Sequence, residues 1–410
     1  MIHASLISLS ATDKQRIRDH LTADVQLLLL RSHPAGLDIK KLAAQITARQ
    51  KARHKLPTWY ANDDLIFPPA LSVEQASSEA AARYKALLVS GALLLDLTGG
   101  MGVDARAFAE RVTQVLYAEQ QPELAQLAGH NLPLLGATNV TVQTGDGLTA
   151  VCQLSKPADW LYLDPHRRNE QGGKVVRLDQ CEPDVSRPDM LKALLTKTRN
   201  ILLKTSPLID IEAAIRQLSG PGYGVGAVHV VAVLGEVKEV LFIISHAQTE
   251  ASSITSNAVN LLSDSTTAFS FVRSDERTVD VPFGNPQTYL YEPNAAVLKA
   301  GAFRSVASRF GLTKLAPNTH LYTSHKLAAN FPGRAFVIGQ MIRPDQKAVQ
   351  TLLPDGKANL TVRNFPQTVA DLRKKLTLRE GGDAYLFAAT LLNGDKRLIL
   401  CRKVATQQVA

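Results

Sequence analysis

The chain has 410 residues, 45% hydrophobic and 20% charged, which implies several packed domains and excludes a disordered chain. No apolar run approaches the ~20 residues that span a bilayer, and residues 1–10 lack the basic-then-apolar pattern of a secretory signal. The expected location is therefore cytoplasmic, with no membrane partner.

The net charge of +9 is unevenly spread. Residues 1–292 carry 28 Lys and Arg against 31 Asp and Glu, whereas residues 293–410 carry 18 against 6. From Pro293 to Pro344 there is no acid, but there are seven bases: Lys299, Arg304, Arg309, Lys314, Lys326, Arg334 and Arg343. A polyanion is the simplest partner for such a module; a solvated surface serving solubility is the plainer alternative. Cys152, Cys181 and Cys401 form no CxxC pair, which argues against a structural zinc, a disulfide framework or a cysteine-ligated cluster. His229, His246, His320 and His325 show no ligand spacing, so no metal is expected.

In chain order, residues 1–58 read as helical. Ser10 or Thr12 caps a first helix through Leu21, and Ala23–Arg31 is a second, very apolar one. Asp38 opens a third, with Ile39, Leu42, Ala43 and Ile46 at helical spacing. Its basic end, Arg49 to Lys55, suits a helix C-terminus and equally suits RNA contact. Residues 57–72 read as a linker, and Ser72–Ser90 as one helix. Strand-like and helical segments then alternate. Leu93–Asp96 is followed by Ala105–Arg111, Val115–Ala118 by Pro122–Leu135, and Val140–Val142 by Trp160–Asp164. Pro188–Thr198, Ile201–Leu203 and Ile211–Leu218 continue the series. This rhythm predicts a parallel sheet covered by helices on both faces. Val228–Leu234 and Val240–Ile244 lie too close for a crossover and must form an antiparallel hairpin. Residues 247–280, rich in Ser, Thr and Asn, receive no assignment. Residues 281–340 read as α+β, with a strand at Tyr289–Tyr291 and a helix from Asn294 to Phe310. Residues 341–410 read as a second small α+β unit. It has strands at Leu360–Val362 and Ala384–Leu392, a helix Gln367–Leu376, and a turn at Asn393–Asp395 leading into Lys396–Arg402.

Asp96, Thr98, Gly99, Gly100 and Gly102 mark a strand-to-helix turn. The glycines let the backbone approach a ligand, and the next helix offers free N–H groups. Glu119 ends the following strand, 23 residues after Asp96, where an acid accepts both hydroxyls of a ribose. Asp146 follows the third strand, in position to take an adenine amine.

This turn resembles motif I of the class I S-adenosylmethionine-dependent methyltransferases, with Thr98 replacing the first glycine of the commonest pattern. Five parallel strands closed by an antiparallel last strand also resemble that class, whereas dinucleotide dehydrogenases typically keep the sheet parallel. Leu71–Glu79, Asp164–Arg168 and Tyr291–Ala296 are similar to a bacterial methyltransferase family with a ferredoxin-like insert and a THUMP-like C-terminal domain, the similarity spanning residues 60–405. The resemblance implies an α/β, Rossmann-like methyltransferase fold with a seven-stranded mixed sheet, an N-terminal helical region and small α+β C-terminal domains. The expected division is 1–58, 59–280, 281–340 and 341–410. The implied cofactor is S-adenosyl-L-methionine, held by Asp96, Thr98, Gly99, Gly100, Gly102, Glu119, Asp146 and Asp164. The implied partner is RNA, tRNA or rRNA.

Chemistry in such a sheet occurs beyond the carboxyl ends of the strands, where Asp164, Pro165, His166, Arg167 and Arg168 follow the fourth strand. Asp-Pro resembles the motif of amine methyltransferases, but the second proline and the stacking aromatic are missing. Lys85, Asp164, Lys204 and Glu239 resemble, in order, the tetrad of ribose 2′-O methyltransferases, in which a desolvated lysine takes the hydroxyl proton. Glu236 is an alternative to Glu239. His166 is either a base or an orienting residue, and Arg167 and Arg168 are candidates to grip a substrate phosphate. Competing readings are a small-molecule or protein methyltransferase, a non-catalytic RNA-binding protein, and a nicotinamide-dependent oxidoreductase.

Overall fold

The structure, a computed structural model, describes residues 8–34, 37–167, 177–246 and 253–404. It divides into one unit of Met1–Gly226 with Glu239–Thr249 and another of Ala227–Lys238 with Glu250–Ala410. Seven strands follow one another through the centre of the sequence: β1 (Gly91–Asp96), β2 (Val112–Glu119), β3 (Val140–Thr144), β4 (Ala158–Leu163), β5 (Thr198–Thr205), β6 (Gly224–Val233) and β7 (Glu236–Ser245). In the first unit the order is β3-β2-β1-β4-β5-β7. Strands β1 to β5 pair in parallel, and β7 runs antiparallel to β5, with Leu203 opposite Phe242. Leu94, Leu95, Leu161, Leu202 and Leu203 are buried, because helices cover both faces of a parallel sheet. β1 has β2 on one side and β4 on the other. The chain therefore switches sides at β1, opening a crevice at the carboxyl ends of β1 and β4.

Leu234 (φ 52°) and Gly235 (φ 84°) are both left-handed, which makes the β6–β7 connection a two-residue hairpin turn. It is tighter than the sequence suggested, because both strands run further toward each other. The mixed sheet is present as expected, with nine strands rather than seven.

Four expectations need correction, and one unassigned segment is a helix. Ser72–Ser90 is two helices, Ala70–Gln75 and Glu79–Ala86, since Ser77 leaves the helical path and Ser78 caps the second through the Ala81 N–H. Residues 57–72 are no linker: Trp59, Leu65, Ile66 and Phe67 are buried. Arg49, also buried, donates to the carbonyls of Asn62, Asp63 and Leu65, so it holds this segment rather than meeting RNA. The helix expected over Asn294–Phe310 breaks into Ala295–Ala300 and Phe303–Arg309, because Gly301 is left-handed. Gly147–Cys152, unassigned in sequence, is a helix capped by Asp146.

In the second unit, the polar stretch left unassigned contains β8 (Thr255–Leu261) and β9 (Thr266–Val272), paired antiparallel, with β8 parallel to β6. Several of its polar residues find partners beyond the two strands: Asn260 accepts the Gly235 N–H, and Ser256 accepts from Arg273. A separate seven-stranded sheet follows, built from β10 (Tyr289–Pro293), β11 (Thr313–Ala316), β12 (Thr319–Ser324), β13 (Gly333–Ile342), β14 (Asn359–Arg363), β15 (Ala384–Thr390) and β16 (Lys396–Lys403). Its order is β11-β12-β10-β13-β16-β15-β14. The Thr319 hydroxyl of β12 donates to the Thr390 carbonyl of β15 at 2.6 Å. Leu290, Leu315, Leu321, Phe336, Phe387 and Ile399 form one core. Residue 340, where a boundary was expected, lies within β13, which pairs with β10 and β16 at once.

Deleting residues 341–410 would expose Leu290, Leu321 and Phe336, at roughly 1.5–3 kcal/mol for each side chain left in water. Limited proteolysis of that truncation should therefore find the 281–340 segment cut rapidly, while the first unit stays resistant.

Candidate active site

Asp96 ends β1 and is wholly buried. One carboxylate oxygen accepts the Thr98 N–H at 3.0 Å, and the other has no hydrogen-bond partner among the described residues. Burial pushes this carboxyl well above its usual range, and Asp104, Asp164 and Glu119 add to the effect against the Thr98 N–H. The turn then tightens through Gly99, Gly100 (φ 58°) and Gly102 (φ 88°). A Cβ at Gly99 would stand 2.1 Å from the ring of Tyr117, whose hydroxyl donates to the Gly100 carbonyl at 2.5 Å. Only glycine lets β2 come this close. Thr98 is not a spare glycine position, because its hydroxyl accepts the Asp164 N–H at 2.8 Å and so ties the end of β4 to the turn.

Glu119 ends β2, nearly buried. Its two oxygens accept the N–H groups of Gly100 (2.7 Å) and Gln121 (2.8 Å). Asp146 accepts from the Thr149 N–H and hydroxyl and from Gln120. Partial burial opposes its ionisation, but these hydrogen bonds hold its carboxyl below the usual range. A cavity of about 660 Å³ is lined by Gln75, Ser77, Gly99, Gly100, Glu119, Asp164, His166 and Lys204. A second of about 240 Å³ shares Glu119, Gln121 and His166 with it and adds Thr98, Asp146 and Glu182.

Beneath the larger cavity lies a buried ionic cluster. Lys85, without solvent exposure, donates to Glu239 (2.8 and 3.0 Å) and to Ser77 (2.9 Å), and lies 3.1 Å from Asp104. Asp104 also accepts from Ser77 and Tyr162, each at 2.8 Å. Although burial opposes it, Lys85, Lys204 and these donors hold the Asp104 carboxyl below the usual range. Lys204 donates to Asp164. Burial pulls its ammonium down, but Asp164, Glu239 and Asp104 outweigh that and raise it above the ordinary lysine value.

The four residues of the expected tetrad thus meet, but in two ranks. Asp164 and Lys204 line the cavity; Lys85 and Glu239 are sealed below it. Glu236 is exposed and pairs with Lys238, so it does not replace Glu239. His166 is exposed, and its strand pairs with Cys181–Glu182. Arg167 shares that strand, and Arg168 lies outside the described residues. Sequence reasoning missed Ser77, Asp104 and Tyr162. Asp104, an acid in the first turn of the helix Val103–Phe108, reads from sequence as a dipole partner and gives no sign of a lysine. Among the described residues no group of three His, Cys, Asp or Glu could hold a metal ion, and no helix is long and apolar enough to cross a membrane.

The family comparisons fit this architecture. A ferredoxin-like domain model matches residues 289–332, and a THUMP-domain-like model matches residues 333–403. The crystal structure of a "putative methyltransferase" from Porphyromonas gingivalis W83 is 33% identical, with a TM-score of 0.86, covering 99% of this chain and 100% of that one. The chain belongs to the S-adenosylmethionine-dependent methyltransferases. Two strains of Mycobacterium tuberculosis, CDC 1551 and H37Rv, each carry an "uncharacterized S-adenosylmethionine-dependent methyltransferase" 25% identical over 313 residues, covering 75% of this chain and 80% of the relative.

The pocket of this methyltransferase fits its cofactor. The larger cavity falls within the roughly 300–1,000 Å³ of small-molecule sites, and the Gly99–Gly100 turn leaves backbone where a side chain would crowd a ligand. S-adenosylmethionine supplies the electrophilic methyl group. Replacing Gly99 by Ala displaces the Tyr117 ring and its hydrogen bond to Gly100. Calorimetry should then show binding of the methyl donor weakened by about tenfold or more, the scale of one lost hydrogen bond.

Proposed function

We propose that this methyltransferase acts on RNA and methylates a nitrogen of a base. Two observations support RNA: the THUMP-domain-like match over residues 333–403, and the 18 basic against 6 acidic residues in positions 293–410. In this reading Asp96, Thr98, Gly99, Gly100, Gly102, Glu119 and Asp146 hold the cofactor. Residues 59–280 supply the chemistry, and the α+β regions 281–340 and 341–410 grip the phosphates of a tRNA or rRNA. Cys152, Cys181 and Cys401, not joined in disulfides, fit a reducing, cytoplasmic setting.

The observation that carries the choice of atom is Lys204. A ribose hydroxyl attacks a sulfonium carbon only as it loses its proton, and a lysine serves as that base only when its ammonium is easily deprotonated. Here three carboxylates hold Lys204 charged. A base nitrogen needs no such lysine, because its lone pair attacks first and the proton leaves afterwards. Asp164 and the Pro165 carbonyl then accept hydrogen bonds from the substrate N–H groups, Lys204 fixes the Asp164 carboxylate, and His166 takes the departing proton. In this reading Arg167 and Arg168, next after His166 in the sequence, grip the phosphate beside the target base.

Incubating the protein with labelled methyl donor and total cellular RNA, followed by nucleoside analysis, tests this reading. Methylated base nitrogens are expected. Asp164→Ala should lower the rate at least ~100-fold while donor affinity changes less than ~3-fold, since the lost contact is to substrate. Label appearing only in protein or small molecules contradicts the RNA assignment. Label on the ribose contradicts the choice of atom.

A further inference from the structure

The second unit holds a cavity of about 370 Å³ remote in sequence from the cofactor residues. One wall is the hairpin β8–β9, and the other is the helix Phe303–Arg309. Its floor is apolar, from Phe271, Val272 and Val279, and hydroxyls come from Thr255, Ser270, Ser305 and Ser308. Ser305 is nine-tenths buried, yet its Oγ has no hydrogen-bond partner among the described residues. The helix's own first N–H groups are already taken. Glu276 accepts those of Phe303, Arg304 and Ser305 at 2.6–2.9 Å. Arg309, exposed at the mouth, stacks its guanidinium 4.5 Å from the centre of the Phe269 ring and has no carboxylate partner among the described residues. Asp275 is the one carboxylate in the lining.

We propose that this cavity binds a single nucleotide of the RNA substrate, outside the catalytic pocket. The proposal rests on the RNA reading above. Its volume lies near the lower end of ligand sites, which suits one nucleotide rather than a duplex. A flat apolar floor suits the face of a base, and hydroxyls that both donate and accept suit its edge without strict sequence choice. The free fork of Arg309 suits a phosphate. The stack on Phe269 fixes that fork in place, so less freedom is lost when a phosphate arrives. Asp275 would repel a phosphate but accepts a hydrogen bond from a ribose 2′-hydroxyl, which selects RNA over DNA.

The test uses the full chain and a labelled single-stranded oligoribonucleotide of mixed sequence, read by fluorescence anisotropy over a salt series. Arg309→Gln removes the cation, and Ser308→Phe plugs the mouth from an exposed position. Each should weaken binding by about fivefold or more, and Arg309→Gln should lower the salt slope by about one. The matching oligodeoxyribonucleotide should bind more weakly. In wild-type protein, 4-thiouridine cross-links should map to residues 266–272 or 303–309. Wild-type binding that both variants retain in full, with cross-links elsewhere, overturns this site and leaves the RNA reading standing. No wild-type binding at any salt overturns both. Uridine monophosphate binding as tightly as the oligonucleotide makes this a free-nucleotide site and overturns the proposal. Equal affinity for the DNA probe removes the role given to Asp275.

Discussion

The fully buried ammonium of Lys85 is the constraint on which the active site rests. A lone cation in that position would be untenable, because an unpaired buried charge costs several kcal/mol. It is tolerated because Glu239 and Asp104 face it and Ser77 adds an uncharged acceptor. Those partners come from three stretches besides the helix Glu79–Ala86 that carries Lys85: the bend before that helix, the helix after the glycine turn, and β7. One ion pair thus fixes the glycine turn, the antiparallel strand and the cavity wall relative to one another. Such a cluster adds less to net stability than its short distances suggest, since desolvation offsets most of the attraction. Its effect is geometric, because the buried charges are paired only when these segments meet.

The same cluster sets the chemistry above it. Three carboxylates, Asp104, Asp164 and Glu239, surround two lysines, Lys85 and Lys204. The surplus is negative and lies under a pocket whose donor carries a sulfonium cation and whose product does not. An environment of this sign favours the charged donor over the neutral product, which helps turnover. It also raises the Lys204 ammonium above the ordinary lysine value, the feature on which the proposed choice of a base nitrogen rests.

Much of this architecture was legible in the sequence, for identifiable reasons. The middle stretches of β1, β4 and β5 are apolar because they are covered on both faces, and short connections left the hairpin no freedom. Asp96, Glu119 and Asp146 stood in register because each ends a strand or follows one. Other features were not legible. The strands β8 and β9 carry Ser, Thr and Asn whose partners are distant in sequence, so composition alone suggested a loop. The bend at Ser77 has no glycine or proline, and it exists because Asp104 and Lys85 draw the serine hydroxyl inward. The two small C-terminal regions, expected to divide near residue 340, share one sheet and one core, which draws on Leu290 and Leu321 from one region and Phe387 and Ile399 from the other. Local patterns identify elements, whereas a shared core becomes visible only when the elements are paired.

Replacing Lys85 by Met tests the central claim most directly, since the substitution keeps the length of the side chain and removes its charge. Chemical unfolding and calorimetric titration with S-adenosylmethionine should be measured on the same preparation. Roughly 3–5 kcal/mol of stability should be lost, because Glu239 and Asp104 remain buried and uncompensated, and donor binding should fall with it. A variant that unfolds at the wild-type midpoint and binds the donor with wild-type affinity would contradict the account.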